Sequence, residues 1–259
     1  MSEGKKLFLL DAFALIYRGY FAFAKNPRIN SKGLDTSAIY GFTNSLVEVI
    51  KNQKPSHLAV VFDTPKPTQR HVDFPSYKAQ REAMPEGISN ALPYIDKLLE
   101  AFKIPKLYKD GYEADDVIGT LAKKAEKKGY QVYMMTSDKD FAQLVSENIF
   151  MYRPGNKWQP TQVWGIAEVL ERFKISKVNQ VIDFLAMMGD ASDNIPGIAG
   201  VGKKTAQKFI SEFGSIEGLF ANTDKLQGKI QEKVISSKEI GMLSKKLVTI
   251  ITDVPIDFD

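Results

Sequence analysis

Three apolar runs in this chain end on an acid. Leu7-Phe8-Leu9-Leu10 runs into Asp11, Ala59-Val60-Val61-Phe62 into Asp63, and Val132-Tyr133-Met134-Met135-Thr136-Ser137 into Asp138. Runs this short and this apolar mark strands buried on both faces, as in parallel sheets. Between and after them, Ser37 to Ile50, Ile88 to Phe102, Ala114 to Lys127 and Asp140 to Val145 carry a 3.6-residue period. Strand and helix in alternation predict an α/β domain with a central, mostly parallel sheet flanked by helices. A weaker strand is expected at Asn148 to Tyr152. In open sheets of this kind ligands bind beyond the carboxyl ends of the strands. An Asp after a strand also caps the next helix. For any one of the three acids the cap is an adequate explanation; for all three together it is a poor one.

Thr64 to Pro85 interrupts the pattern with four prolines, aromatic and basic residues and no clean period. Long irregular excursions inside compact domains are functional or disordered. From Thr161 onward the chain reads as helices separated by glycine turns, with a last strand expected at Leu247 to Ile251. We place a boundary near residue 175, dividing an α/β core, 1–175, from a helical region, 176–259. Lys5-Lys6 and the apolar run Leu7 to Tyr17 imitate a signal peptide, but Asp11 breaks the run and Arg18 stands where a cleavage region belongs. No stretch approaches the roughly 20 apolar residues of a membrane-spanning helix. With no Cys either, a cytoplasmic protein without a membrane partner is expected. Trp158 and Trp164 are expected in the core or at its margin rather than on a ligand.

The absence of Cys and the presence of only two His, His57 and His71, exclude thiolate zinc, iron–sulfur clusters and a cysteine nucleophile. Acids are plentiful and clustered. Glu113-Ala114-Asp115-Asp116 opens a helix, Asp140 follows Asp138 by two residues, and Asp190 and Asp193 stand three apart after an apolar helix. Acids in a first helical turn are favoured by about 0.3–1 kcal/mol each, yet three within four residues repel one another unless a cation offsets them. Carboxylates without His or Cys suit hard divalent ions, Mg²⁺ or Mn²⁺. Mg²⁺ keeps several waters and takes few carboxylates, so nine acids imply two or more ions with some ligands acting through water. Two divalent ions about 4 Å apart suit in-line attack of water on a phosphodiester.

Gly197-Ile198-Ala199-Gly200-Val201-Gly202-Lys203-Lys204-Thr205 nearly spells a P-loop, but Lys204 stands where the Mg²⁺-holding hydroxyl belongs and no strand precedes it. A helix-hairpin-helix fits better: Gly200 and Gly202 let the backbone approach a phosphate, and the amides opening a helix at Lys203, Lys204 and Thr205 hold it. Residues 197–248 carry nine Lys and no Arg against five acids, a balance of +4 that equals the formal charge of the whole chain. Sequence-blind contact with a phosphate backbone is the expected use.

Read in order, these residues resemble one family closely, the 5′ nucleases related to flap endonucleases, and within it the N-terminal nuclease domain of bacterial DNA polymerase I. The resemblance rests on Leu10-Asp11 with Tyr17-Arg18, Val61-Phe62-Asp63, Tyr77-Lys78-Ala79-x-Arg81, Glu113-Ala114-Asp115-Asp116, and Ser137-Asp138-Lys139-Asp140. It continues through Gly189-Asp190-x-Ser192-Asp193-Asn194-Ile195-Pro196-Gly197 and Gly200-x-Gly202-x-Lys204-Thr205-Ala206. It implies a PIN-like nuclease fold with a helix-hairpin-helix region. The implied activity is Mg²⁺-dependent 5′-3′ exonuclease and flap endonuclease hydrolysis of DNA, used in primer removal and repair. Asp11, Asp63, Glu113, Asp115 and Asp116 would serve one metal group, and Asp138, Asp140, Asp190 and Asp193 the other; Asp116 is also expected to be indispensable to catalysis. The stretch at about 64–90 coincides with the family's arch, from which Lys78 and Arg81 would reach the scissile phosphate. Tyr77 would stack on a base, Arg18 would contact the phosphate region, and Arg70 would touch the flap. The resemblance further implies K⁺ at the helix-hairpin-helix. It also implies branched or nicked duplex DNA as partner, a monomer, and a polymerase region continuing the full-length protein.

Overall fold

The computed structural model describes residues 4–155 and 159–258; Trp158 lies outside them. Six strands form one sheet in the order β3-β2-β1-β4-β5-β6. They are β1 (Lys6–Asp11), β2 (His57–Val61), β3 (Lys106–Leu107), β4 (Gln131–Met135), β5 (Ile149–Arg153) and β6 (Gln162–Trp164). All pair in parallel except β6, which runs antiparallel to β5. The central four are the strands expected from the apolar runs. β6 lies beyond Thr161, where no strand is expected: three residues are too short to show a period, and it forms by pairing along the β5 edge.

Among the described residues eleven α-helices surround and follow the sheet: α1 (Ala12–Ala22), α2 (Ser37–Glu48), α3 (Gln69–Asp73), α4 (Glu86–Ala101), α5 (Ala114–Lys127), α6 (Ile166–Phe173), α7 (Gln180–Met188), α8 (Lys203–Phe213), α9 (Ile216–Ala221), α10 (Gly228–Ser236) and α11 (Lys238–Val248). Alternation along β1 sorts the core onto two faces. Phe8 and Leu10 pack with Phe42 and Leu46 of α2 and Ile88 and Ile95 of α4. Leu7 and Leu9 join the larger cluster with Val117 and Leu121 of α5, which extends into Phe184 and Phe209 of the helical region. The run that imitates a signal peptide is thus the central strand and the first helix.

The expected strand at Leu247 to Ile251 does not form. Leu247 and Val248 complete α11, and the following amides bond to side chains instead of to a sheet edge. Ile250 N donates to Gln143 Oε1 (2.9 Å) and Ile251 N to Asp116 Oδ1 (2.9 Å). The segment continues along α5, where Val254 N donates to Thr120 Oγ1 at 3.1 Å. Strand register then fixes the geometry of the acidic edge. Leu10 stands opposite both Val60 and Met135, so Asp11, Asp63 and Asp138 emerge from neighbouring strands at one edge. The chain order reverses between β1 and β4, a topological switch point of the kind that opens a ligand crevice.

Candidate active site

The acids at the strand ends are helix caps and cavity walls at once. Asp11 caps α1, accepting from Ala14 N (3.1 Å) through Oδ1, while Oδ2 accepts from Thr136 Oγ1 (2.9 Å). Asp63 Oδ1 accepts from Ala114 N at 2.9 Å, tying β2 to the start of α5. Asp138 caps the 3₁₀ helix Lys139–Leu144 by accepting from Asp140 N (2.9 Å). Each cap leaves carboxylate capacity facing the crevice. A cavity of about 1010 Å³ is lined by Asp11, Asp63, Glu113, Asp115, Asp138 and Asp193, with Lys78 and Arg81 on its wall. A second, about 390 Å³, is lined by Asp138, Asp140, Asp190 and Asp193.

Burial and mutual repulsion act on this cluster together. Burial pushes the Asp11 carboxyl up to about 6, with Asp63 and Asp138 adding to the rise. Asp63 is raised by burial, helped by Glu113. Asp115, half-buried, is raised well above the carboxylate range by burial and then by Asp138 and Asp11. Burial and Asp138 take Asp140 to about 7. Asp190 goes the other way: burial works against its charge, but the Lys139 ammonium and the Ser192 amide hold it below the usual range. A cluster whose charge is this poorly compensated is built for a cation.

The donor set fits a hard divalent ion, being all oxygen. Asp140 Oδ1 is buried with no hydrogen-bond partner among the described residues, and the Lys139 ammonium stands 3.3 Å away. Among the described residues no three His, Asp or Glu side chains close around a single ion.

Lys78 stands at the junction of the two groups. Its ammonium is 2.7 Å from Glu113 Oε1 and 3.8 Å from Asp193 Oδ2. Burial opposes its charge, but Glu113 and Asp193 outweigh it and hold the ammonium above its usual value. Its backbone is left-handed (φ 56°), a strained conformation for a side-chain-bearing residue. The strain is held by Lys78 N donating to Asp193 O (3.0 Å) and Asn194 Nδ2 donating to Ser76 O (2.7 Å). The Asp190–Asp193 loop is in turn pinched by Gly189 (φ 70°) and Gly197 (φ 66°), where a Cβ would come within 2.5 Å of Ile195 O and 2.6 Å of Gly189 N. Arg81 pairs with Asp193.

Four expected site residues stand away from the cavities or have their polar groups taken. Asp116 is fully buried and lines neither cavity. Both its oxygens accept from Arg70, Oδ2 from Nη1 and Oδ1 from Nη2, each at 2.7 Å, so as placed it is not free to ligate an ion. Arg70 is itself buried and lines neither cavity. Its Nε donates to Leu247 O (2.9 Å) and its Nη2 to Thr249 O (2.8 Å), joining α3, α5 and the segment after α11. Burial opposes the guanidinium charge, but Asp116 raises its pKa above the free value. Tyr77 offers no face to a base: it is buried, its hydroxyl donates to Glu113 Oε2 (3.1 Å), and the Lys78 ammonium and His71 ring cover it. Arg18 donates to Gly155 O and lines neither cavity.

In the helical region Gly200 is left-handed (φ 79°) and Gly202 caps α8 in extended backbone. Lys203 and Lys204 are exposed at the start of that helix and Thr205 is half-buried, so its first amides face outward beside two ammonium groups. Two contributors were missed in the sequence. Thr136, two residues before Asp138, orients Asp11; a hydroxyl at the end of an apolar run was the available signal. Lys139 neutralises Asp190, which its place between two acids hinted at.

Comparisons with known proteins follow this geometry. Residues 6–174 match the model of the 5′-3′ exonuclease N-terminal, resolvase-like domain, and residues 176–259 that of the 5′-3′ exonuclease C-terminal SAM fold. A 5′-3′ exonuclease of Aquifex aeolicus is 40% identical over 253 residues, covering 98% of this chain and 84% of its own. DNA polymerase I of Bacillus subtilis is 40% identical over 259 residues, 99% of this chain but 29% of the polymerase. In fold, the chain is similar to the T5 D15 protein co-crystallised with metal ions (TM-score 0.76, 22% identity, 95% of this chain and 90% of that one). It is also similar to the catalytic core of Rad2 in complex with a DNA substrate (TM-score 0.62, 16% identity, 99% and 82%). With both halves matched and a relative of this length and identity, the chain belongs to the 5′-3′ exonuclease family.

Proposed function

We propose that this chain is a structure-specific 5′ nuclease that hydrolyses phosphodiesters at the 5′ ends and flaps of branched or nicked duplex DNA. It would act as a monomer in the bacterial cytoplasm, in primer removal and repair. The observation that carries the reading is the delivery of Asp11, Asp63 and Asp138 from neighbouring strands into one crevice that also holds Lys78 and Arg81. No helix among the described residues is long and apolar enough to cross a membrane.

Asp11, Asp63, Glu113 and Asp115 would hold one Mg²⁺ or Mn²⁺, and Asp138, Asp140, Asp190 and Asp193 a second, partly through water. Such ions supply Lewis-acid neutralisation of the phosphodiester and lower the pKa of water to near neutrality. The chain's own cations do the rest. Lys78 and Arg81, held by Glu113 and Asp193 before substrate arrives, present fixed positive charge where the transition state gathers negative charge. Because those side chains are already ordered, little reorganisation accompanies the reaction. No His is required: His57 stands on the exposed start of β2, and His71, which lines the crevice, accepts from Thr68 N through Nδ1 and packs against Tyr77. The exposed start of α8 would grip duplex backbone without reading sequence, with K⁺ as a further ion at that hairpin.

The test is cleavage of a labelled 5′-flap duplex with Mg²⁺ and with EDTA. Mg²⁺-dependent cutting at the junction is expected. Lys78→Met should lower kcat by roughly 10²–10³, with Asp138→Asn as the companion variant on the metal side. A folded protein that binds the duplex and never cuts it would overturn the reading.

A further inference from the structure

Trp164 of β6 carries two cations. The guanidinium carbons of Arg153 and Arg172 both lie over its ring, each 4.3 Å from the centroid. The indole is almost fully buried, and its Nε1 donates to Gln162 Oε1 (3.1 Å), the same oxygen that accepts from Arg172 Nη2 (3.1 Å). Trp164, Gln162 and Arg172 therefore brace one another, and Arg153 leans on the braced ring from β5. Among the described residues neither arginine has a carboxylate within ion-pair distance.

The place of this pair matters. Arg153 and Trp164 line the 390 Å³ cavity that holds Asp138, Asp140, Asp190 and Asp193. Three cations face that cavity, and two are spent: Arg81 on Asp193 and Lys139 on Asp190. Arg153 is the third. Burial and then the repulsion of Arg172 bring its pKa down, while Asp138 attracts it from across the cavity without touching it. Two like charges on one ring, the inner one half-buried, repel one another, and a phosphate bound in contact with Arg153 would offset that repulsion. Arginine offers a planar fork that matches phosphate, and stacking on an aromatic face leaves the edge of that fork free to donate.

We propose that Arg153, braced by Trp164 and Arg172, is a phosphate-binding site for the nucleic-acid strand seated at the Asp138–Asp140 side of the crevice. The inference rests on the nuclease reading and extends it: it assigns a contact to a backbone phosphate beyond the scissile one, on the side away from the Lys78 wall. Arg153 is the contacting residue. Arg172 acts through Trp164 and through the local field.

The test uses the whole chain and a 5′-flap duplex, bound in Ca²⁺ without cleavage and then cut in Mg²⁺. Wild-type binding and cutting come first, since their failure would sink the nuclease reading itself. Arg153→Gln should weaken binding roughly tenfold or more, as expected for a charge-assisted hydrogen bond, and should lower the slope of log K against log salt by about 1. Arg153→Lys should restore the slope but not the full affinity, because a point charge lacks the fork. Methylphosphonate replacement, one phosphate at a time, should find one position that weakens the wild type and leaves Arg153→Gln unaffected. If that position is the 5′-terminal phosphate, removing the terminal phosphate will reproduce it; if internal, it will not. Trp164→Phe, which keeps a ring, reports on bracing and should cost less than Arg153→Gln. An Arg153→Gln protein with wild-type thermal stability, affinity and salt slope would overturn the proposal. So would a loss tied to no single phosphate.

Discussion

The Arg70–Asp116 pair gives the sharpest prediction. Arg70→Met removes a buried guanidinium whose bonds run to both Asp116 oxygens (2.7 Å each), Leu247 O (2.9 Å), Thr249 O (2.8 Å) and Glu113 Oε2 (3.3 Å). The fully buried Asp116 then keeps only the amides of Glu113 and Ile251, which cannot neutralise its charge. Breaking a buried pair from one side costs about 3–5 kcal/mol. For a chain of this size each kcal/mol lowers Tm by about 2–4 °C, so a fall of about 6–20 °C is expected in thermal unfolding. Asp116→Asn should cost a similar amount, because it strands the cation instead. The double variant, with no buried charge left to strand, should lose less than the sum by about 1–3 kcal/mol. Below the unfolding transition, flap-DNA affinity in Ca²⁺ should stay within about twofold, since neither group reaches the cavity; kcat should fall about 10-fold or more as Glu113 and the start of α5 lose their anchor. An Arg70→Met protein with unchanged Tm and much weaker DNA binding would refute this reasoning and return Arg70 to the flap. So would an Asp116→Asn protein whose only defect is a higher Mg²⁺ requirement, which would make Asp116 a ligand.

Two further outcomes follow from the same geometry. Asp11, at about 6, and Asp140, at about 7, are raised in the folded chain above the unfolded carboxylate value near 3.9, so their stabilising contribution is full below about pH 4 and is lost as pH rises through about 7. In chelator, Asp140→Asn should therefore gain Tm relative to wild type between about pH 4.5 and 7.5, and Mg²⁺ or Mn²⁺ should raise the wild-type Tm more at the upper end, where no proton competes; a pH-independent metal effect would argue against a carboxylate site. Separately, a Cβ on Gly41 would sit 2.3 Å from Gly19 Cα where α1 crosses α2. Gly41→Ala should destabilise by about 1–3 kcal/mol or more by forcing the helices apart, measurable by denaturant unfolding; a neutral variant would mean the crossing is loose.

How much of this was legible in the sequence depends on whether a residue's role is set locally or by a distant partner. The strands at Leu7 and Leu58 and the acids that end them were readable, because burial on both faces of a parallel sheet leaves a continuous apolar run and the acid follows directly in sequence. β6 was not, since its three residues are strands only by virtue of the β5 edge beside them. Three of the residues that the structure places away from their expected roles share a cause. Arg70 lies 46 residues from its partner Asp116 and Tyr77 lies 36 from its partner Glu113, and the motif match gave each a role without those partners in view. Their partners in space decide otherwise. A guanidinium meeting a carboxylate on both oxygens satisfies both charges, and a group so satisfied has no capacity left for an ion or a strand. Asp115, one residue before Asp116, has no such partner and faces the cavity with its charge uncompensated. Adjacent acids of the same type thus divide into one whose oxygens both meet Arg70 and one that lines the cavity. The difference is made by an arginine on α3 that sequence reasoning sent to the DNA. The same logic runs in reverse at Arg153, whose guanidinium has no ion-pair partner among the described residues beside the second carboxylate group and so, on the proposal above, awaits a substrate phosphate.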